Sequence, residues 1–295
     1  IRDYGDEIQF RLCPFCHGGN HNDTYTFAVN RNTGMFNCLR ASCDRRGHFV
    51  TLARELGYAL DFGIEKKEYR QLPQRQITIR PKVIELMAQR GIGEAVCKRY
   101  KLTVRTDNIN VIVFPFYNEA GQLVTVKYRN SKFRKGVDKN KEWFEKDTEP
   151  ILFGMFQAND YSEPLVITEG QIDALSLAEC GIKNTVSVPN GCTSFTWIPA
   201  CYDWVNKFPS ITIMGDCENG KITLVEEISK KFKKPVRYVP KEFYYGLKDA
   251  NDILTQYGPE TLLDSFIHAV EYMLPHIKRL AEVTDIDFST LPRIR

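Results

Sequence analysis

At 295 residues, 43% of them hydrophobic, the chain can bury a sizeable core, either as one large domain or as two or three smaller ones. Lys and Arg number 40 against 37 Asp and Glu, a net +3, so overall charge does not announce nucleic acid and any basic footprint has to be local. No apolar run approaches the roughly 18 to 20 residues of a bilayer-spanning helix and IRDYGDEIQF is too polar for a signal peptide, which predicts a soluble, cytosolic protein without a membrane partner.

The chain opens on Ile1 rather than Met, as a fragment or processed chain does, leaving room for a further domain at either end. Nine cysteines in a cytosolic chain of this length are not a disulfide framework. Four of them form two knuckles, Cys13-Pro-Phe-Cys16 and Cys38-Leu-Arg-Ala-Ser-Cys43, spaced so that four thiolates close a tetrahedron around one zinc ion. Between the knuckles, Tyr25 to Val29 and Gly34 to Phe36 read as strands joined by Asn30-Arg-Asn-Thr-Gly34, which makes a zinc ribbon. Four thiolates leave no open position, so the zinc is structural; His17 and His21 are the substitute ligands that two complete cysteine pairs make unnecessary. Asn20, His21, Arg31, Asn32, Arg40, Arg45 and Arg46 offer the ribbon donors for phosphates and base edges, or else form a solvated face. The remaining thiols, Cys97, Cys180, Cys192, Cys201 and Cys217, are scattered and read as buried or incidental.

A helix is expected over His48 to Leu56, stopped by Gly57 and followed by a charged, Pro-punctuated linker. Two short helices, Pro81 to Gln89 and Gly93 to Tyr100, precede a hairpin of Val111 to Tyr117 and Leu123 to Tyr128. Its second strand runs into KYRNSKFRKG, where Lys127, Arg129, Lys132, Arg134 and Lys135 interleave with Tyr128 and Phe133, a pattern suited to a nucleic-acid backbone or a triphosphate. From Leu165 onward strands (LVITEG, TVSVPNG, SITIMGD, PVRYVP) alternate with helices, the last over Glu260 to Met273, which implies a parallel sheet with covering helices. Ligands of such sheets collect beyond the carboxyl ends of the strands. That rule gathers Glu169, Asp173, Asp216, Glu218, Asp249 and Asp252 on one rim, where closely packed carboxylates call for Mg²⁺ or Mn²⁺, although Asp173 and Asp252 also suit helix caps.

Gly215-x4-Gly220-Lys221 has the spacing of a phosphate-cradling loop. Ile222 stands where that loop needs Ser or Thr, however, and Asp216 with Glu218 would repel the phosphates.

CPFC, TGMFNCLRASC, VKYRNSKFRKG, ILFGM, VITEGQIDAL, IMGDCE and LKDANDIL, in that order over most of the chain, resemble DNA primases of the bacterial and bacteriophage type, closest to phage primases fused to a replicative helicase. The resemblance implies an α/β protein with an N-terminal zinc ribbon and a primase catalytic core carrying a TOPRIM parallel-sheet domain. The boundaries it implies are a ribbon at 1–57, a linker at 58–80, an N-terminal subdomain with the basic hairpin at 81–150, the TOPRIM domain at 151–275 and a tail or linker at 276–295. It implies that Glu169, Asp216, Glu218 and Lys127 are catalytic, with Asp173 and Asp249 joining the carboxylates at two or three Mg²⁺ or Mn²⁺ ions. Lys127, Arg129, Lys132, Arg134 and Lys248 then face nucleotide and template. The activity implied is synthesis of short RNA primers on single-stranded DNA from ribonucleoside triphosphates, beside a fused or separate helicase.

Three departures stand out: Glu218 replaces the usual Asp, Gly220 arrives one residue early, and the second knuckle is widened. Two rival readings use the same residues, a non-catalytic zinc and TOPRIM recombination mediator that binds DNA, and a TOPRIM nuclease.

Overall fold

The computed structural model describes residues 1–18, 24–57, 68–74, 76–192, 194–232 and 234–273, in two units, Ile1–Glu68 and Tyr69–Arg295. Asn20, His21, much of the linker and the tail from 276 lie outside the described residues.

In the first unit β1 (Arg2–Tyr4), β2 (Glu7–Phe10), β3 (Phe27–Asn30), β4 (Met35–Cys38) and β5 (Arg46–His48) form one antiparallel sheet in chain order. The β3–β4 turn is local chemistry: the Asn30 side chain accepts from the amides of Asn32 and Thr33, and Gly34 takes φ +67° beside His48. The first hairpin, β1 with β2, escapes sequence reading because Arg2–Tyr4 is exposed throughout and carries no apolar alternation. Helix α1 (Phe49–Glu55) buries Leu52 and Ala53, and Leu52 joins Phe27, Val29, Phe36, Cys13 and Cys38 in a small core.

In the second unit α2 (Pro81–Ala88) begins with Pro at its first turn, and α3 (Glu94–Arg99) has Glu94 first and Lys98 and Arg99 last, as the helix dipole favours. Strands β6 (Thr103–Val104), β7 (Val111–Tyr117), β8 (Leu123–Asn130) and β9 (Glu142–Phe144) make an antiparallel sheet. Within the stretch expected to be linker, Leu72 is buried with Val113, Tyr117, Leu123 and Val126, and the Gln74 side chain bonds Leu123 through both its main-chain groups. The chain from Tyr69 therefore packs on this sheet.

The second sheet has the order β11 (Thr185–Ser187), β10 (Leu165–Thr168), β12 (Ile211–Met214), β13 (Val236–Tyr238), β14 (Val270–Glu271), with the first four strands parallel. The last is antiparallel, so the helix expected to Met273 stops earlier and the chain turns back along the sheet edge. Ser187 on the opposite edge pairs with Phe153 through both main-chain groups. Helix α4 (Gln171–Glu179) is buried on nearly every side, which is why its sequence lacks an amphipathic stripe. Helices α5 (Ile198–Val205), α6 (Thr223–Lys231), α7 (Ala250–Tyr257) and α8 (Pro259–Ile267) complete the unit. A single apolar core runs from Val83 to Ala269, so the ranges 81–150 and 151–275 share their interior.

Candidate active site and metal centre

In the ribbon the four thiols lie within 4.8 Å of one another, with Sγ separations of 3.8 Å for Cys13 and Cys43 and 4.0 Å for Cys16 and Cys38. Zinc–thiolate bonds of about 2.3 Å give tetrahedral edges of about 3.8 Å, so the donor set fits zinc. The Gly18 amide leads the influences that draw Cys16 down to about 6, a thiol already inclined to the ligating form, whereas burial pushes Cys43 up to about 12. Arg40 donates to Cys16 Sγ at 3.7 Å.

The second centre lies where three parallel strands end. Asp216 follows β12, Asp173 sits in the first turn of α4, and Asp249 caps α7, its side chain accepting from the Asp252 amide at 2.8 Å. Each offers a carboxylate oxygen within 4.8 Å of the other two. The approach of Asp173 depends on Gly170, where a Cβ would come within 2.4 Å of Asp173 Oδ2. Burial, followed by the charge of Asp249, raises Asp173 well above the usual carboxylate range, although the Asn251 amide donates to it at 3.0 Å. Burial also lifts Asp216 to about 6, against the opposing pull of Lys248 and with Glu169 and Asp249 adding repulsion. Three carboxylates this close together, one buried and two half-buried, form a donor set that fits a divalent cation of the Mg²⁺ or Mn²⁺ kind.

Glu169 follows β10 and accepts from the Cys192 amide at 3.2 Å. Glu218 is on the exposed side of the rim, its carboxylate 2.7 Å from Lys248 Nζ, which also reaches Asp216 at 3.0 Å. Lys248 holds Glu218 below its ordinary value, and both acids raise Lys248 in return. The segment after Asp216 is a tight turn: Glu218 and Lys221 exchange both main-chain bonds across Asn219 (φ +53°) and Gly220 (φ +74°). Its glycine serves a two-residue turn, which is why the phosphate-loop spacing appears here without a phosphate loop.

Among the basic residues, Arg129 and Lys132 line a cavity of about 560 Å³ together with Lys82, Arg90 and Lys141. Arg134 is exposed and pairs with Asp138. Lys127 is buried, its Nζ 2.8 Å from Glu142 and donating to the Pro189 carbonyl at 3.1 Å. Arg90, Asn251, Glu142 and Gln171 are placed near these groups by the fold and are not among the sequence candidates. Arg90 donates to Asn251 Oδ1 at 3.2 Å, and Asn251 donates back to the Arg90 carbonyl and to Ser176. Asn251 stands inside LKDANDIL and Gln171 inside VITEGQIDAL, but nothing local marks Arg90 and Glu142.

No family model matches the sequence. The chain is 27% identical over 287 residues to the "Twinkle homolog protein, chloroplastic/mitochondrial" of Arabidopsis thaliana, covering 88% of this chain and 39% of that one. It is 27% identical over 289 residues to the "Primase homolog protein" of the same plant, covering 89% of this chain and 82% of that one. The chain thus spans 39% and 82% of the lengths of these two relatives. The zinc-binding and RNA polymerase domains of the Aquifex aeolicus primase superimpose with a TM-score of 0.51 at 17% identity, covering 92% of this chain and 81% of that one. The fold is that of a primase zinc-binding domain with its α/β catalytic core, and the resemblance carried by the motifs holds in sequence relatives and in fold. Among the described residues no helix is long and apolar enough to cross a membrane, and one relative's name places it in chloroplasts and mitochondria.

Proposed function

We propose that the chain is a DNA primase that synthesises short RNA primers on single-stranded DNA from ribonucleoside triphosphates. The observation that carries this reading is the convergence of Asp173, Asp216 and Asp249 beyond the strand ends of the core. Cys13, Cys16, Cys38 and Cys43 would hold one zinc ion, and Asp173, Asp216 and Asp249, with Glu169 beside them, would hold Mg²⁺ or Mn²⁺. When bound, such ions stabilise charge on transferring phosphoryl groups and lower the barrier to attack by a hydroxyl oxygen. The chain's own part is placement. Arg129 and Lys132, with Lys82, Arg90 and Lys141, offset the charge of a triphosphate or template backbone, and Lys248 keeps Asp216 and Glu218 together on the rim. On this reading 1–57 is the ribbon that meets the template, 81–150 carries the basic hairpin, 151–275 is the TOPRIM domain and 276–295 leads toward a replicative helicase partner.

The test is incubation with single-stranded DNA of varied sequence, Mg²⁺ or Mn²⁺ and labelled ribonucleotides. Template-dependent primers of defined length support the reading, whereas cleavage of the DNA, or binding without synthesis, overturns it.

A further inference from the structure

The residues that hold Glu169 in place come from three separate parts of the second unit. Directly after β11 the segment Val188-Pro-Asn-Gly-Cys192 passes in front of Glu169 and presents the Cys192 amide to Oε1 at 3.2 Å. Gly191 takes φ +66° there, and a Cβ on it would stand 3.4 Å from the same oxygen. Two buried side chains from two different elements grip this segment. Gln171, 4% exposed in the first turn of α4, donates Nε2 to the Val188 carbonyl at 3.0 Å and to Ser187 Oγ at 3.0 Å. Lys127, 7% exposed on β8, donates Nζ to the Pro189 carbonyl at 3.1 Å. Glu142 on β9 fixes that ammonium at 2.8 Å and is itself held by Arg129 at 2.9 Å. A lysine committed to a carboxylate and a carbonyl inside the protein has little left with which to meet a triphosphate. A main-chain carbonyl that accepts a charged donor in a low-dielectric setting is held firmly.

We propose that Lys127 and Gln171 are positioning residues that clamp the 188–192 segment, and that through the Cys192 amide this clamp fixes the Glu169 carboxylate beside Asp216. The inference rests on the primase reading for what Glu169 does, but the clamp has a readout of its own. Lys127→Met keeps the buried stem and removes the donor.

Hydrogen exchange on the full chain is expected to show the Cys192 amide exchanging at least tenfold faster in Lys127→Met and in Gln171→Met, with the amides of β12 unchanged. Exchange at Cys192 unaltered in both variants overturns the clamp. In primer synthesis, Lys127→Met should lower kcat about tenfold, leave the ribonucleotide KM within twofold and raise the Mg²⁺ concentration for half-activation. It should add nothing in a Glu169→Gln background, because both changes then act through one group. A rise in ribonucleotide KM at unchanged kcat, or a loss that multiplies with that of Glu169→Gln, makes Lys127 a substrate contact and overturns the inference. If Lys127→Met does not fold, Gln171→Met and Lys127→Met/Glu142→Gln put the same questions. Failure of the wild-type chain to make primers removes the primase reading, and the exchange result still decides the clamp.

Discussion

In the ribbon the thiols that would hold zinc are part of the core: Cys13 and Cys38 are buried among Phe27, Val29, Phe36 and Leu52, six residues in all. In the second unit the carboxylates stand at the rim of an apolar interior that extends from Val83 to Ala269 and is complete without them. The first arrangement makes the metal a structural member, because so small a core cannot offset the entropy of ordering its chain. The second spends stability on the site, since the acids are crowded together against burial and their mutual repulsion. Metal should therefore stabilise both units for opposite reasons, by completing a core in one and by relieving repulsion in the other.

The sharpest way to break this contrast is Asp216→Asn. Primer synthesis should fall by about a thousandfold or more, roughly 4 kcal/mol of transition-state stabilisation. The metal-free melting temperature should hold or rise, because a repelling charge has gone; a lower melting temperature would show that the rim is structural after all. Zinc removal comes next. All three tryptophans, Trp143, Trp197 and Trp204, belong to the second unit. Stripping zinc with a chelator should expose four thiols to titration and abolish ribbon structure, while the tryptophan-detected unfolding midpoint stays where it was. A matching drop in that midpoint would mean that the two units are not independently stable.

Stability against pH is a gentler probe. Asp216 titrates near 6 when folded, above its ordinary value, and burial shifts Asp173 in the same direction. The folded state thus holds these protons more tightly than the unfolded chain, so metal-free protein loses stability as pH rises from about 4 through 6. For Asp216 alone the loss is on the order of 2–3 kcal/mol. Denaturant unfolding in chelator at pH 4 and pH 7.5 measures it, and excess Mg²⁺ should erase the difference at pH 7.5. The smallest effect belongs to Lys221→Ala, which should leave nucleotide affinity unaltered by equilibrium binding, because Lys221 closes a tight turn and cradles no phosphate.

Much of this architecture is legible in the sequence because its signals are local. Paired cysteines, a Pro at the start of α2, alternation in β4, and apolar runs ending in acid at Glu169 and Asp216 each announce themselves within a few residues. The elements that escape are those decided at a distance. Strand β14 exists because β13 offers an open edge, and α7 hides in a stretch where Asp252 reads as the cap although Asp249 takes that place. The strand-end rule gathers six acids on one rim, but only the fold selects Asp173, Asp216 and Asp249 from among them. Lys127 has the composition of a surface cation, and only the fold turns it inward to Glu142 and Pro189.

The two ends of the parallel sheet carry one more consequence. Strand β11 is covered by the Phe153–Ser187 bridge, and β13 by the two residues of β14, which runs in the opposite sense. A parallel sheet with an open border is a template onto which another chain can add strands, the first step of aggregation. Here one border ends in a single bridge and the other in a strand too short to extend. Both borders of the parallel sheet are thus closed by pieces of the chain itself.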